Sequence, residues 1–508
     1  MNVLFSLAHP GYLRNFDSTI RLLAERGHEV QLLFNHLKKA KSEASVLLHE
    51  YETQHGVQCD VRSFPSVFWT PWVNWIRSMH DYARYFRPEF RHTAKLRQRA
   101  AARVPVVARH ITALPLVRRF ASGRSFARIC HGLEWAAPPD RAVVEYLRGV
   151  RPDVLVVSPL VDLGSPQTEL VKAARALGIR TALLVHSWDN LTNKGQICVM
   201  PDMVAVWNRL QADEAVRIHA VPAARVVVTG AEAYDQWFTS IPSDRREFCG
   251  RIGLDASRPY VLYVGSSTFI SSDESTFARE WISRVRSATD TALRSAGVLI
   301  RPHPQNVHCW VPLRNDCPDN LVMYPRDGAN PMTSADRQDL FDSIHHAAAV
   351  VGINTSALID AAILRRKALT ILDERFKETQ EGTVHFHYLV NHEFGFLRVA
   401  RSFDEHLEQL AEALRPDPEV SRQFSRFVEM FVRPYGLDTP ATPRLVQAIE
   451  DLCSVPAPLP MRTSTSARYL SLLPAVVASV LEPRRKRSMK GLKRDRAARR
   501  TNAAGHGP

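Results

Sequence analysis

Short, unbroken apolar runs recur along this chain, each stopped by a glycine or polar cluster and followed by a helical pattern. They dictate the architecture, and Ala347–Asp373 shows the unit most fully. Ala347–Val351 is apolar without alternation, as a parallel strand buried on both faces must be. Gly352 breaks the run, and Asn354, Thr355 and Ser356 follow, all residue types that cap helices. In Ser356–Arg366, Leu358, Ile359, Ala362 and Ile363 form one helical stripe, and Arg365, Arg366 and Lys367 come where cations suit the helix dipole. Ala368–Leu372 reads as the next strand. A helix that starts directly after a buried strand offers free N–H groups, and the Thr355 and Ser356 hydroxyls add donors. The turn therefore suits a phosphate; the alternative is an ordinary capped helix.

The same unit opens the chain. Asn2–Leu7 is a buried strand, the loop Ala8–Tyr12 carries His9, and Asn15–Arg26 is a helix with Phe16, Ile20 and Leu23 on its apolar stripe, ended by Gly27. Strands follow at Glu29–Phe34, Val57–Phe64, Asp153–Ser158, Thr181–Val185, Met203–Val206 and Arg225–Val228. A second series runs through Tyr260–Val264, one long helix Glu274–Ser295, Gly297–Ile300, Leu321–Tyr324 and the stretch described above. The fold class is α/β with two Rossmann-like domains, 1–233 and 234–435, then a helical segment 436–455 and a tail 456–508. In such sheets ligands bind outside the carboxyl ends of the strands.

The formal charge of +14 is unevenly placed. Arg77–Arg128 holds thirteen Lys/Arg against Asp81 and Glu89, inside an aromatic, helical insertion spanning 66–130. Arg484–Arg500 holds ten against Asp495, after the apolar segment Tyr469–Leu481. Basic aromatic helices and tails of this kind suit an anionic membrane surface; the alternatives are core aromatics under a solvated face, and a solubilising or RNA-sticky tail. No RNP, helix-turn-helix or finger pattern supports nucleic acid as a partner. Seven scattered cysteines without a CxxC pair fit a reducing compartment, and no apolar run is long enough to span a bilayer. These point to a cytoplasmic protein, peripheral at the inner face of the plasma membrane.

Chemistry concentrates after the strands. Gly265-Ser266-Ser267-Thr268 offers hydroxyls for phosphate or ribose. Arg301-Pro302-His303-Pro304 is stiffened by prolines, so that Arg301 can fork onto phosphate oxygens and His303 can donate to a phosphate or protonate a leaving group. The loop His186–Gly195 brings Trp188, Asp189 and Lys194.

The second domain resembles the nucleotide-binding half of GT-B-fold glycosyltransferases. It is nearest to the capsule-polysaccharide and CDP-glycerol glycerophosphotransferase group, on His303-Pro304, on Thr355-Ser356 with Asp360, and on Gly352…Asp360. The opening HPGYLRNF…LLAERGHEV is similar to the first unit of GT-B acceptor domains. Where the family has Asp-Tyr before the hydroxyl pair, this chain has Ile353-Asn354, and the basic insertion departs from the family pattern. The resemblance implies transfer of a sugar or polyol-phosphate group from a nucleotide-diphosphate donor to a cell-envelope glycan or lipid-linked acceptor. Ser266, Ser267, Arg301, Asn354, Thr355, Ser356 and Asp360 would hold the donor. His9 is the expected base and Asp189 its alternative, with His303 on the leaving group and Trp188 and Lys194 on the acceptor. No metal and no cofactor are expected, since no Asp-x-Asp loop is present. Asp373, Glu381, His385 and His387 are secondary candidates for the cleft border. Rival readings are a UDP-sugar 2-epimerase of the same fold, which needs paired carboxylates around one sugar carbon, and a non-catalytic scaffold.

Overall fold

The computed structural model describes residues 1–35, 43–314, 320–415, 420–463, 466 and 468–481. Its strands form two sheets in which every pairing is parallel. The first holds β1 (Asn2–Leu7), β2 (Glu29–Phe34), β3 (Gln58–Val61), β4 (Val154–Ser158), β5 (Arg180–Leu184), β6 (Met203–Val206) and β7 (Val226–Val228) in the order β3-β2-β1-β4-β5-β6-β7. The second holds β8 (Tyr260–Val264), β9 (Gly297–Arg301), β10 (Leu321–Met323), β11 (Ala349–Gly352), β12 (Lys367–Ile371) and β13 (Arg398–Ala400) in the order β10-β9-β8-β11-β12-β13. The central strands are buried on both faces, which is why their sequences do not alternate: Phe5 lies opposite Leu32 and Val156, and Tyr263 opposite Ile300 and Val351. The winding of each sheet reverses beside its central strand, between β1 and β4 and between β8 and β11, which opens a crevice at the carboxyl ends.

Three local expectations change. The long helix is two, Ser275–Arg286 and Thr291–Ser295, because the Asp290 carboxylate accepts the Leu293 N–H and starts a new helix. The helix after β11 is only Ala357–Ile363; Arg365, at φ 54°, adopts the left-handed conformation that ends it. The edge strand β13, three residues long, carries no pattern visible in sequence.

The chain passes between lobes through Glu232–Phe238 and returns to the first, where helix Ala441–Ser454 sets Leu445, Val446 and Ile449 into the same core as Val3 and Phe16. Asp235 ties the two crossings together. Its carboxylate accepts from Ala441 N at 3.0 Å, from Thr442 N and Oγ1 at 2.7 Å each, and from Arg433 Nη2 at 2.8 Å.

The insertion is helical, beginning with Thr70–Arg84 and ending with Arg124–Ala136. Many of its arginines turn inward, contrary to a fully solvated basic face. Arg77 forks onto Glu134 at 2.9 and 2.6 Å, and the buried Lys172 ammonium joins the same carboxylate at 3.1 Å. The basic run Arg484–Arg500 lies outside the described residues. Among the described residues no helix is long and apolar enough to cross a membrane.

Candidate active site between the two sheets

The loops after β1 and β5 face those after β8, β9 and β11 across one cleft of about 790 Å³. His9, Asp189 and Lys194 line it from the first lobe; Arg301, His303, Thr355, Ser356 and Asp360 line it from the second.

On the second lobe, β9 delivers Arg301 to the floor. Its Nη1 donates to Ser343 Oγ at 2.8 Å and to the Asp339 carbonyl at 3.2 Å, so the guanidinium is fixed. Burial lowers its pKa to about 10, which leaves it cationic at neutral pH. His303 Nδ1 accepts the Gln305 N–H at 3.1 Å, which puts the ring proton on Nε2. Burial, with the charge of Arg14, lowers His303 to about 4. In the empty cleft it is therefore a neutral N–H donor. The two loops approach closely at Gly265, where a Cβ would stand 3.0 Å from His303 N and 3.2 Å from the Arg301 carbonyl. A helix of seven residues contributes little dipole, so the Thr355 and Ser356 hydroxyls and Arg301 carry the polarity of this wall. Asp360 accepts from the Trp237 indole; burial raises its pKa to about 7 against that bond and against Arg14.

Four predicted residues stand elsewhere. Ser266 is fully buried, its N–H and hydroxyl taken by Glu274 at 2.6 and 3.3 Å. Ser267 offers its carbonyl to Ile270 N, and Thr268 lines the cleft in its place. Asn354 turns away, with Nδ2 on the Thr379 carbonyl at 2.6 Å. Trp188 lies edge-on to His385 at 4.6 Å inside the core, not against an acceptor. None of Asp373, Glu381, His385 and His387 lines the cleft; Asp373 is occupied by Arg375 at 2.6 Å.

On the first lobe, His9 Nδ1 accepts the Gly11 N–H at 3.1 Å, so this imidazole too carries its proton on Nε2 and presents a donor rather than a lone pair. Gly11 leaves room for this ring position, because a Cβ there would stand 2.9 Å from His9 Cε1. Asp189 accepts from Ser187 Oγ at 2.7 Å and Asn193 Nδ2 at 3.0 Å. Burial pushes this carboxyl up, but Lys194 and those bonds outweigh it and hold the group well below the usual range, which makes it a weak base. Lys194 is paired with Asp162 at 3.2 Å.

Two cleft residues escape the sequence reading. His186 Nδ1 lies 3.2 Å from Ser158 Oγ, whose only proton goes to the Leu184 carbonyl at 2.9 Å. His186 must donate there, which leaves its Nε2 lone pair unprotonated, unlike His9 and His303. Burial and Lys194 hold it down at about 3. Arg14, on helix Leu13–Glu25, makes no hydrogen bond or ion pair with the described residues; burial lowers its pKa, while Asp360 acts on it from across the cleft. An arginine on a helix flank resembles any solvated cation in sequence, so nothing marked it.

The loop bearing Asp189 and Lys194 is held by the insertion. Arg84, 1% exposed, donates to the Leu191, Thr192 and Gly195 carbonyls at 3.2, 3.4 and 3.3 Å and also to that of Lys194. Arg99 takes the Asn193 carbonyl, and Asp81 accepts the Gln196 N–H at 2.6 Å. Every carbonyl from Leu191 to Gly195 thus meets an insertion arginine. Among the described residues no group of three or more His, Cys, Asp or Glu side chains is arranged to hold a metal ion.

Solved structures share this two-lobed arrangement. Staphylococcus aureus MnaA, determined with UDP, is 12% identical over 91% of this chain and 100% of its own, at a TM-score of 0.52. The Methanocaldococcus jannaschii UDP-GlcNAc 2-epimerase, in complex with UDP-GlcNAc and UDP, is 10% identical over 89% and 100%, at 0.51. A glycosyltransferase from Rickettsia africae is 8% identical over 90% and 100%, at 0.50. The fold is GT-B. No protein-family model matches the chain, and no curated protein sequence matches it.

Proposed function

We propose that this cleft binds a nucleotide-diphosphate donor and transfers its sugar or polyol-phosphate group to a cell-envelope glycan or lipid-linked acceptor, in the manner of the capsule-polysaccharide and CDP-glycerol transferases. The observation that carries the reading is one groove at the carboxyl ends of both sheets, with Arg301, Thr355 and Ser356 on one wall and, on the other, Arg14, which makes no hydrogen bond or ion pair with the described residues. A diphosphate between those walls satisfies both. Solved structures of this fold that bind UDP or UDP-GlcNAc add support. In the proposed reaction an acceptor hydroxyl attacks the transferred group: with a sugar donor the bond from the anomeric carbon to the diphosphate breaks and the nucleoside diphosphate leaves, with a polyol-phosphate the pyrophosphate P–O bond breaks and the nucleoside monophosphate leaves, and Arg14 and Arg301 stabilise the departing charge. The acceptor proton passes to His186 Nε2, which the bound dianion makes more basic than in the empty cleft. His9 and His303 donate N–H bonds, and Asp360 orders donor hydroxyls. The proposal calls for no resident cofactor.

One observation favours the epimerase reading: two carboxyls, Asp189 and Asp360, line the same cleft, as a reaction with paired acid and base groups around one sugar carbon needs. Full-length protein incubated with a panel of nucleotide sugars and CDP-glycerol, with and without glycan and lipid-linked acceptors, separates the readings. Acceptor-dependent release of nucleotide supports transfer. Conversion of a nucleotide sugar to its epimer without net release supports the alternative. Silence with every donor leaves a non-catalytic scaffold.

A further inference from the structure

The insertion uses its cations in two different ways. Up to about residue 103 its cations mostly serve the interior, as with Arg77, Arg84 and Arg99, and with Lys95, which donates to the Phe269 carbonyl at 2.7 Å. From Val106 the pattern inverts. Across the short helices Val106–Ile111 and Pro115–Ala121, Leu116 is 83% and Val107 70% exposed, while Val106, Ile111, Leu114 and Phe120 are each about half exposed. Arg118 and Arg119 stand exposed among them, Arg124 and Arg128 follow, and no Asp or Glu occurs between Glu89 and Glu134.

Single exposed apolar side chains are ordinary; six in one stretch, studded with cations and free of acids, call for a partner. That partner must be anionic at its surface and apolar beneath. RNA would meet the arginines but offers nothing to Leu116 or Val107, since single strands are read by aromatic stacking. An anionic leaflet supplies both layers.

We propose that residues 106–129 form a docking surface for an anionic lipid bilayer, with Leu116 and Phe120 entering the acyl boundary and Arg119 and Arg124 at the headgroups. This deepens the lipid-linked acceptor reading and rests on it for its purpose, but vesicle binding is measured without turnover, so the two can fail separately.

The test is co-sedimentation of the full chain with vesicles of phosphatidylcholine, alone or mixed with phosphatidylglycerol. The protein should partition only onto the anionic vesicles, and less so as salt rises. Each headgroup cation is worth about fivefold, so Arg119→Gln with Arg124→Gln should weaken partitioning roughly thirtyfold. Leu116→Ser with Phe120→Ser should cost about tenfold or more. Both pairs should keep the wild-type thermal midpoint and nucleotide affinity. The chain also exposes Leu470 (81%) and Leu473 (74%) on helical residues 468–481. A loss confined to Leu470→Ser with Leu473→Ser would overturn the assignment. So would no binding to anionic vesicles, equal binding by wild type and the 116–124 variants, or loss of single-stranded RNA binding in those variants while vesicle binding persists.

Discussion

Replacing Arg84 with methionine tests the role of the insertion most sharply, because the stem volume stays and only the guanidinium goes. In the wild type that group serves four loop carbonyls and the Tyr85 hydroxyl, and it lies 4.9 and 5.1 Å from the Tyr85 and Phe90 ring centroids. A hydrogen bond to a charged group contributes about 1.5–3 kcal/mol, but one guanidinium makes all of these, so they do not add. Two effects oppose the loss: the variant no longer buries a cation, and the Arg84 Nε, which has no partner, is gone. The carbonyls left dry each cost about 1–3 kcal/mol unless water enters. The net expectation is about 3–5 kcal/mol, the size seen when one partner of a buried charged network is removed. Against a total stability of about 5–15 kcal/mol the variant stays folded, with its melting midpoint about 10 °C lower. The loss should also be local. Hydrogen exchange at the amides of residues 191–196 should accelerate far more than exchange in β8 or β9, and nucleotide affinity should fall with it. Arg84→Lys should recover little, since one ammonium cannot span these carbonyls. A loss below about 1 kcal/mol with unchanged loop exchange would refute the reasoning.

Arg14→Ala should weaken UDP binding by about 1.5–3 kcal/mol, roughly ten- to a hundredfold, while leaving uridine affinity unchanged; titration calorimetry with both ligands checks it. Asp360 with a pKa of about 7 is half ionised near neutrality, and its negative charge both engages Arg14 and repels a diphosphate. UDP affinity should therefore fall from pH 6.5 to pH 8.5 in the wild type and stay flat in Asp360→Asn. His186→Asn should lower kcat by about a hundredfold or more with little change in donor KM, read in the acceptor-dependent assay. Gly11→Ala must displace the His9 ring, and a wild-type nucleotide affinity in that variant would count against a role for His9 in the cleft.

The sheets were legible because burial on both faces leaves a plain mark. Asn2–Leu7 and Tyr260–Val264 begin and end where their apolar runs do. Boundaries set by one side chain or one dihedral were not legible: Asp290 restarting a helix, Arg365 ending one. Site residues divided along the same line. Arg301 ends its strand, His303, Thr355 and Ser356 lie in the turns that follow, and Asp360 lies on the helix after them, so the βα units carry all five to the cleft. Ser266 occupies an equivalent place but is captured by Glu274, a carboxylate eight residues on that sequence spacing does not flag. The inward turn of Arg84 was hidden most deeply, because its acceptors are backbone carbonyls about 110 positions away and a carbonyl has no residue type. The preference for His186 over His9 as the proposed base rests on something outside sequence altogether: His9 Nδ1 faces a backbone N–H, whereas His186 Nδ1 faces the Ser158 hydroxyl.

The central claim is that two lobes grip a diphosphate between them. A complex of the full-length protein with UDP or CDP, determined crystallographically, tests it directly. The account predicts the diphosphate in the inter-lobe cleft, within hydrogen-bond distance of Arg14 on one side and of Arg301, Thr355 or Ser356 on the other. A nucleotide bound outside that cleft, or held there with its phosphates turned away from both arginines, would contradict it.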